Sequence, residues 1–197
     1  MAVFFEIDRD EINYSSDELQ KRLCVTENFD LSLIKSNLDK VKTLITPKCS
    51  YAVTDIICSD DCVNFGFMTV KSKSLAKLAS CYKKAVFFAV TLGFSLEREQ
   101  MRLSKLGGAD FFISDAAGSS VAEDVCNTAQ EKIKDIIGKE YEYSRRFSPG
   151  YGDFELGVQQ EVLDFLEAKN LLGITLSTSL LMIPQKSITA VMFFDKK

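Results

Sequence analysis

The stretch Arg145-Arg146-Phe147-Ser148-Pro149-Gly150-Tyr151-Gly152-Asp153-Phe154 gathers the groups in this sequence best suited to holding a ligand. It contains two of the ten glycines and one of only three prolines, so it reads as neither helix nor central strand. Pro149 fixes its own φ and pushes Ser148 towards extended geometry, while Gly150 and Gly152 open conformations closed to other residues. Arg146 brings a planar cationic fork into the loop, Tyr151 carries an amphipathic ring out of it, and the backbone between them is free to approach a docked molecule. This set suits a small ligand with a carboxylate and a flat or sugar-like part. The same residues also suit a plain surface turn with a charged shoulder.

Composition narrows the chemistry. The 197 residues include no histidine. That excludes Ser-His and Cys-His nucleophile pairs, His-ligated metals and a histidine general base. A net charge of −4 and a pI near 5.0 argue against sequence-independent nucleic-acid binding, which needs a basic footprint. Phe4 and Phe5 are followed by Glu6, Asp8, Arg9, Asp10 and Glu11, unlike a signal peptide, and no apolar run reaches membrane-spanning length. The six cysteines (24, 49, 58, 62, 81 and 126) are scattered, which suits a cytoplasmic protein with reduced thiols. Cys58 and Cys62 bracket a turn but form no CxxC pair, and they read as packing residues rather than a metal or redox centre.

The elements that must position the loop follow from periodicity. Residues 1–28 read as a lead-in with a short helix after Ser15-Ser16. Asp30 is expected to cap a longer helix through Leu31, Ile34, Leu38, Val41 and Ile45, stopped by Pro47. Residues 51–57 and 63–70 are expected as a hairpin around Ser59-Asp60-Asp61. A short helix starts at Ser74. Lys84–Gly93 is a continuous apolar run, as in a strand buried on both faces. Helices are expected over Ser95–Leu106, ended by Gly107-Gly108, and from about Ala109 to Ile137, closed by Gly138. Within the second, Ala116-Ala117-Gly118-Ser119-Ser120 is a small-residue patch expected to lie close to a strand or to the ligand region. A helix over Val158–Lys169 follows the loop, then strands from Ile174 to Ile183 and from Ile188 to Phe194, joined by Pro184-Gln185-Lys186-Ser187. The class is α+β: a mainly antiparallel sheet of hairpins or meander with helices packed on it, in one domain spanning 1–197. Phosphate-loop and dinucleotide-binding glycine patterns are absent.

From residue 85 to 194 the chain resembles the activation (reactivation) domain of vitamin B12-dependent methionine synthase. Arg146-Phe147-Ser148-Pro149-Gly150-Tyr151 is similar to that family's Arg-x-x-Pro-Gly-Tyr loop. Gly173-Ile174-Thr175-Leu176-Ser177-Thr178-Ser179 is similar to its Gly-x-x-Leu-Thr-Glu-Ser. Met182-Ile183-Pro184 with Ser187-Ile188-Thr189-Ala190 is similar to its Met-x-Pro-x-x-Ser-Val-Ser-Gly. Gly118–Glu123 falls where the family has a helix carrying a ligand-facing Glu. On this division residues 1–80 are a helical lead-in plus hairpin, and 85–194 an activation-domain-like core.

The resemblance implies a module that binds S-adenosylmethionine (AdoMet) and serves methionine biosynthesis by helping to remethylate an oxidised cobalamin, with one electron from a flavodoxin-type donor. Arg146 would fork the AdoMet carboxylate, and Glu123 would face its ammonium or sulfonium. Ser148 and Gly150 would meet its polar ends, and Tyr151 would stand at the boundary with the corrin. No catalytic acid or base and no metal ligand are implied. The cobalamin would sit on a partner, a methionine synthase lacking its own activation domain or another corrinoid methyltransferase, because this chain has no histidine and no cobalamin-binding segment. Gly152-Asp153-Phe154 replaces the family's fuller loop, Thr178 stands at its Thr-Glu-Ser glutamate, and no residue among 1–80 matches its N-terminal acidic ligand. A ligand- or protein-binding module that keeps only the fold is the alternative.

Overall fold

The computed structural model describes residues 1–23 and 31–196. Its strands, in chain order, are β1 (Val3–Glu6), β2 (Lys48–Asp55), β3 (Ile57–Cys58), β4 (Cys62–Asn64), β5 (Thr69–Lys71), β6 (Lys84–Thr91), β7 (Tyr141–Tyr143), β8 (Thr175–Leu176), β9 (Met182–Ile183) and β10 (Ser187–Lys196). The helices are α1 (Ser16–Arg22), α2 (Leu31–Leu44), α3 (Lys73–Ala79), α4 (Phe94–Leu106), α5 (Ala109–Ile137), α6 (Gln159–Phe165) and α7 (Ala168–Leu172). The expected cap Asp30 and the thiol Cys24 lie outside the described residues.

Five strands form one antiparallel sheet in the order β1-β2-β6-β10-β7. Strand alternation explains the continuous apolar run in β6. Val86, Phe88 and Val90 point to one face, against Ile34 and Val41 of α2, Ile45 just past its end, and Val121, Val125 and Ile133 of α5. Ala85, Phe87 and Ala89 point to the other, against Leu75 of α3, Phe65, Phe154, and Val162 and Leu163 of α6. β10 alternates the same way, with Met192 and Phe194 on the first face and Val191 and Phe193 on the second. The result is a three-layer α+β molecule in which strands β6 and β10 are buried on both faces along most of their length. Among the described residues no helix is long and apolar enough to cross a membrane.

Several elements differ from the sequence expectation. Residues 3–6, expected as lead-in, form the edge strand β1, in register with β2 from Val3 opposite Tyr51 to Glu6 opposite Lys48. The charges after Glu6 mask it, because only four residues carry the strand. The expected 51–57 strand divides. β2 enters the main sheet between β1 and β6, where Cys49 and Tyr51 are buried, and only Ile57–Cys58 pairs across the turn with β4. Residues 63–70 are likewise cut at Gly66, which has φ +83° and donates its N–H to Asn64 Oδ1. The helix expected over 158–169 breaks at Glu167, which sits at φ +51°. Nearby, the Leu166 carbonyl accepts a 2.6 Å hydrogen bond from the buried Ser50 hydroxyl of β2. Finally, 184–187 does not join two paired strands, since β9 pairs with β8 and β10 with β6 and β7. That turn instead docks on the end of β6 through Leu92 N–H to Lys186 C=O.

α5 is the longest element, 29 residues or roughly 43 Å. Its small-residue patch faces helix α4 and a cleft residue. A Cβ on Gly118 would lie 2.9 Å from Gln100 Nε2, 3.2 Å from Leu96 Cδ2 and 3.2 Å from Lys186 Cε. That close approach offsets the ~1 kcal/mol cost of glycine in a helix interior.

Candidate functional site

The loop of residues 144–154 is held at both ends by groups the sequence supplies locally. At its start the chain rides along β10. Ser144 N–H donates to Phe193 C=O, Phe193 N–H donates to Ser144 Oγ, and Phe147 and Val191 exchange both backbone hydrogen bonds at 2.9 and 2.8 Å. In the middle it closes on itself: Tyr151 N–H to Ser148 C=O, Phe154 N–H to Tyr151 C=O, and Gly150 N–H to Phe154 C=O at 2.7 Å. Gly150 and Gly152 sit at φ +90° and +58°, which is why glycine occupies both positions. At its end Phe154 is fully buried and stacks on Phe147, with ring centroids 6.1 Å apart.

Asp153 is the outer anchor. Its carboxylate accepts from Ser72 Oγ at 2.6 Å, Lys73 N–H at 2.7 Å and Ser74 N–H at 3.3 Å, at the start of α3. These donors, the Ser72 hydroxyl foremost, hold its pKa at about 2, against an ordinary 3.8. Because the folded value is the lower one, the carboxylate's stabilising contribution is complete above pH 3.8 and is lost as pH falls towards 2. NMR titration of the Asp153 carboxyl carbon is expected to show a midpoint near 2, and Asp153→Asn should flatten the acid limb of the stability profile there. A midpoint near 3.8 would show that the loop is not anchored this way.

The held loop forms one wall of a cleft of about 740 Å³, within the range of small-molecule sites. α5 supplies Glu123. The loop supplies Arg145, Arg146, Phe147, Ser148, Pro149 and Tyr151. Leu156, Gln159, the segment Leu180–Met182 and Gln185–Thr189 complete it. Arg146 forks along α5: one guanidinium nitrogen donates to Glu123 Oε2 at 2.7 Å and the other to Asn127 Oδ1, with Gln130 Oε1 at 3.4 Å. Beside this pair the Cys126 thiol is pushed up to about 12, burial outweighing the Arg146 charge, so no thiolate forms there at neutral pH.

Of the expected site residues, Glu123, Arg146, Ser148 and Tyr151 line this one cleft. Tyr151 stands at the mouth with 66% of its surface exposed. Gly150 is not among the lining residues, and its N–H is spent inside the turn on Phe154. Arg146 and Glu123, expected to meet opposite charges of a ligand, pair with each other. Sequence reasoning missed Gln159, Thr189 and Lys186. Gln159 is 1% exposed and exchanges hydrogen bonds with Thr189 Oγ1 at 2.8 and 3.2 Å, making the cleft floor. Lys186 Nζ donates to Asp115 Oδ1 at 2.7 Å and to Ser119 Oγ at 2.8 Å. The signal for the last two was the Met182–Thr189 segment, read above for strand, turn and family resemblance but not for cleft-lining side chains.

No protein-family model matches the sequence, and no curated protein is similar to it at a significant level. Among solved structures the fold is similar to that of the MetH reactivation domain in its crystal structure bound to AdoHcy. The TM-score is 0.72 at 13% sequence identity, over 98% of this chain and 78% of that one. The likeness is one of fold: an α+β molecule built on an antiparallel sheet with helices packed against it.

Proposed function

We propose that this chain is an AdoMet-binding module that supports reductive remethylation of a corrinoid held by a partner methyltransferase, such as a methionine synthase without an activation domain of its own. The observation that carries this reading is the Arg146–Glu123 pair inside a cleft walled by an anchored Pro-Gly-Tyr loop. An α-amino-acid head carries a carboxylate and an ammonium side by side. Inserted between the two side chains, it replaces one ion pair with two, the carboxylate on the Arg146 fork and the ammonium on Glu123, with no net charge left uncompensated. Pro149, Leu156, Met182 and Ile188 supply apolar surface for the nucleoside, and the Ser148 hydroxyl adds a polar contact. The fold likeness to a domain crystallised with AdoHcy supports the same ligand class.

When bound on the partner, a corrinoid would supply the methyl-accepting cobalt, with AdoMet as the methyl donor that leaves as AdoHcy and a flavodoxin-type protein as the one-electron donor. This chain's residues would bind and orient: Arg146 and Glu123 would fix the amino-acid end, and Tyr151, exposed at the mouth, would be the ring available to a corrin. Methyl transfer from a sulfonium needs no proton, so a sequence without histidine suffices. A cytoplasmic setting, with reduced thiols and a soluble electron donor, follows from the same reading.

Calorimetric titration of the purified chain with AdoMet is expected to show one site. Added to a corrinoid-loaded partner with reductant and AdoMet, the chain should speed the change in the corrinoid's absorption spectrum, and Tyr151→Ala should slow it. Absence of AdoMet binding would leave Arg146, already satisfied by Glu123, Asn127 and Gln130, as a structural residue. The chain would then be a binding module that keeps the fold alone.

A further inference from the structure

We infer that Lys186 sets the discrimination of this cleft between the charged sulfonium AdoMet and the uncharged thioether AdoHcy, an inference that rests on the AdoMet-binding reading above. Four of the cleft's lining residues carry full charges: Arg145, Arg146 and Lys186 against Glu123. The two ligands share the same amino-acid head and nucleoside and differ in one methyl and one positive charge. Asp115, outside the lining but paired with Lys186, takes one positive charge off this balance, and the remaining excess opposes the extra charge.

Lys186 is the most buried of these cations. Its side chain is only 12% exposed, and its Nζ is held by Asp115 Oδ1 and Ser119 Oγ. Ser119 is itself fixed, donating its hydroxyl proton to the Asp115 carbonyl at 3.1 Å. Asp115, Ser119, Glu123 and Asn127 follow one another at four-residue intervals, so they make a single polar stripe on α5. Lys186 is fastened to the upper part of that stripe and Arg146 to the lower part, one helical turn apart, about 6 Å. The sulfur of AdoMet lies three bonds from the α-carbon of its head. With the head on Arg146 and Glu123, the sulfonium would come within roughly 10 Å of the Lys186 ammonium. At that range, in the intermediate dielectric of a half-open cleft, one unit charge changes an equilibrium several-fold. Asp115 partly offsets it, but with 45% of its side chain exposed its field is more strongly screened by solvent. Occupancy of the cleft thereby responds to the ratio of the methylated to the demethylated ligand, not to the amount of AdoMet alone.

The test is a pair of calorimetric titrations, AdoMet and AdoHcy, on four forms of the protein. Lys186→Met keeps length and removes charge. It should move the ratio of the two dissociation constants towards AdoMet by about threefold or more. Lys186→Arg should keep the wild-type ratio. Asp115→Asn removes the counter-charge and should move the ratio the opposite way, towards AdoHcy. High salt should shrink the differences. A merely structural role would weaken both ligands alike, without opposite signs. If wild type binds both ligands and the ratio stays within twofold in Lys186→Met and Asp115→Asn, this inference is wrong while the AdoMet reading stands. Should Lys186→Met not fold, Asp115→Asn decides alone by the sign of its shift. If wild type binds neither ligand, both readings fall together.

Discussion

Arg146→Lys is expected to weaken AdoMet binding by about tenfold or more, roughly 1.4 kcal/mol, while Arg145→Lys stays within about twofold. The guanidinium works as a fork, with one nitrogen on Glu123 and the other on Asn127. Its two donor edges let it keep one partner while the other edge turns to the ligand carboxylate. An ammonium is a point donor. With Glu123 turned to the ligand ammonium, a lysine leaves Asn127 and the carboxylate competing for one donor centre. Arg145 also lines the cleft but is exposed, so its charge is maintained by either residue type. Calorimetry on both variants checks this. Equal affinities for the two would sink the carboxylate-fork role and leave Arg146 as an anchor between the loop and α5.

Phe154→Ala carries the largest expected effect on stability, about 3–5 kcal/mol. The ring is fully buried, stacked on Phe147 with only 9° between planes, and sits in the same core as Phe87 and Phe193. Its backbone is also the hub of the turn, accepting from Gly150 and donating to Tyr151. Truncation should lower the urea midpoint at unchanged slope and weaken AdoMet binding in the surviving folded fraction. Tyr151→Ala, three residues away on an exposed ring, should shift the midpoint by about 0.5 kcal/mol or less. Similar midpoints for the two variants would show that the loop does not hang on its C-terminal anchor. Phe154→Leu offers a graded version if the alanine form does not fold.

The contrast between what the sequence disclosed and what it hid is physical. Pro149, Gly150 and Gly152 announce a loop because few other residues fit their backbone angles, and Arg146 and Tyr151 within it were read for their chemistry and for the loop's family resemblance. Strand β6 was legible because burial on both faces leaves no polar alternation to confuse it. The partner choice of β2 was not legible. A nearby turn suggested a local hairpin, and only the depth of the core at Cys49 and Tyr51 sends the strand to β6 instead. The break at Glu167 was hidden as well, because the competing hydrogen bond comes from Ser50, more than a hundred positions earlier. Lys186 and Gln159 escaped for a related reason. A lone lysine in a turn and a glutamine at a helix start look solvated until a distant helix or strand encloses them.

The position of β10 has a consequence for how the chain acquires function as it is made. β10 lies between β6 and β7, so its arrival completes two strand pairings at once, and Thr91 meets Ser187 across 96 positions. Phe147 has its backbone partner in Val191, and Ser144 has its partner in Phe193. While synthesis has reached the Pro-Gly-Tyr loop but not residue 191, the loop has no strand to ride on, and β6 presents a bare apolar edge. Such an intermediate cannot hold ligand and is at its most prone to mispair with other chains. Loop closure over so long a separation is also slow. A ligand of this cleft would therefore not chaperone the early stages of folding; it would select only molecules in which β10 is already in place.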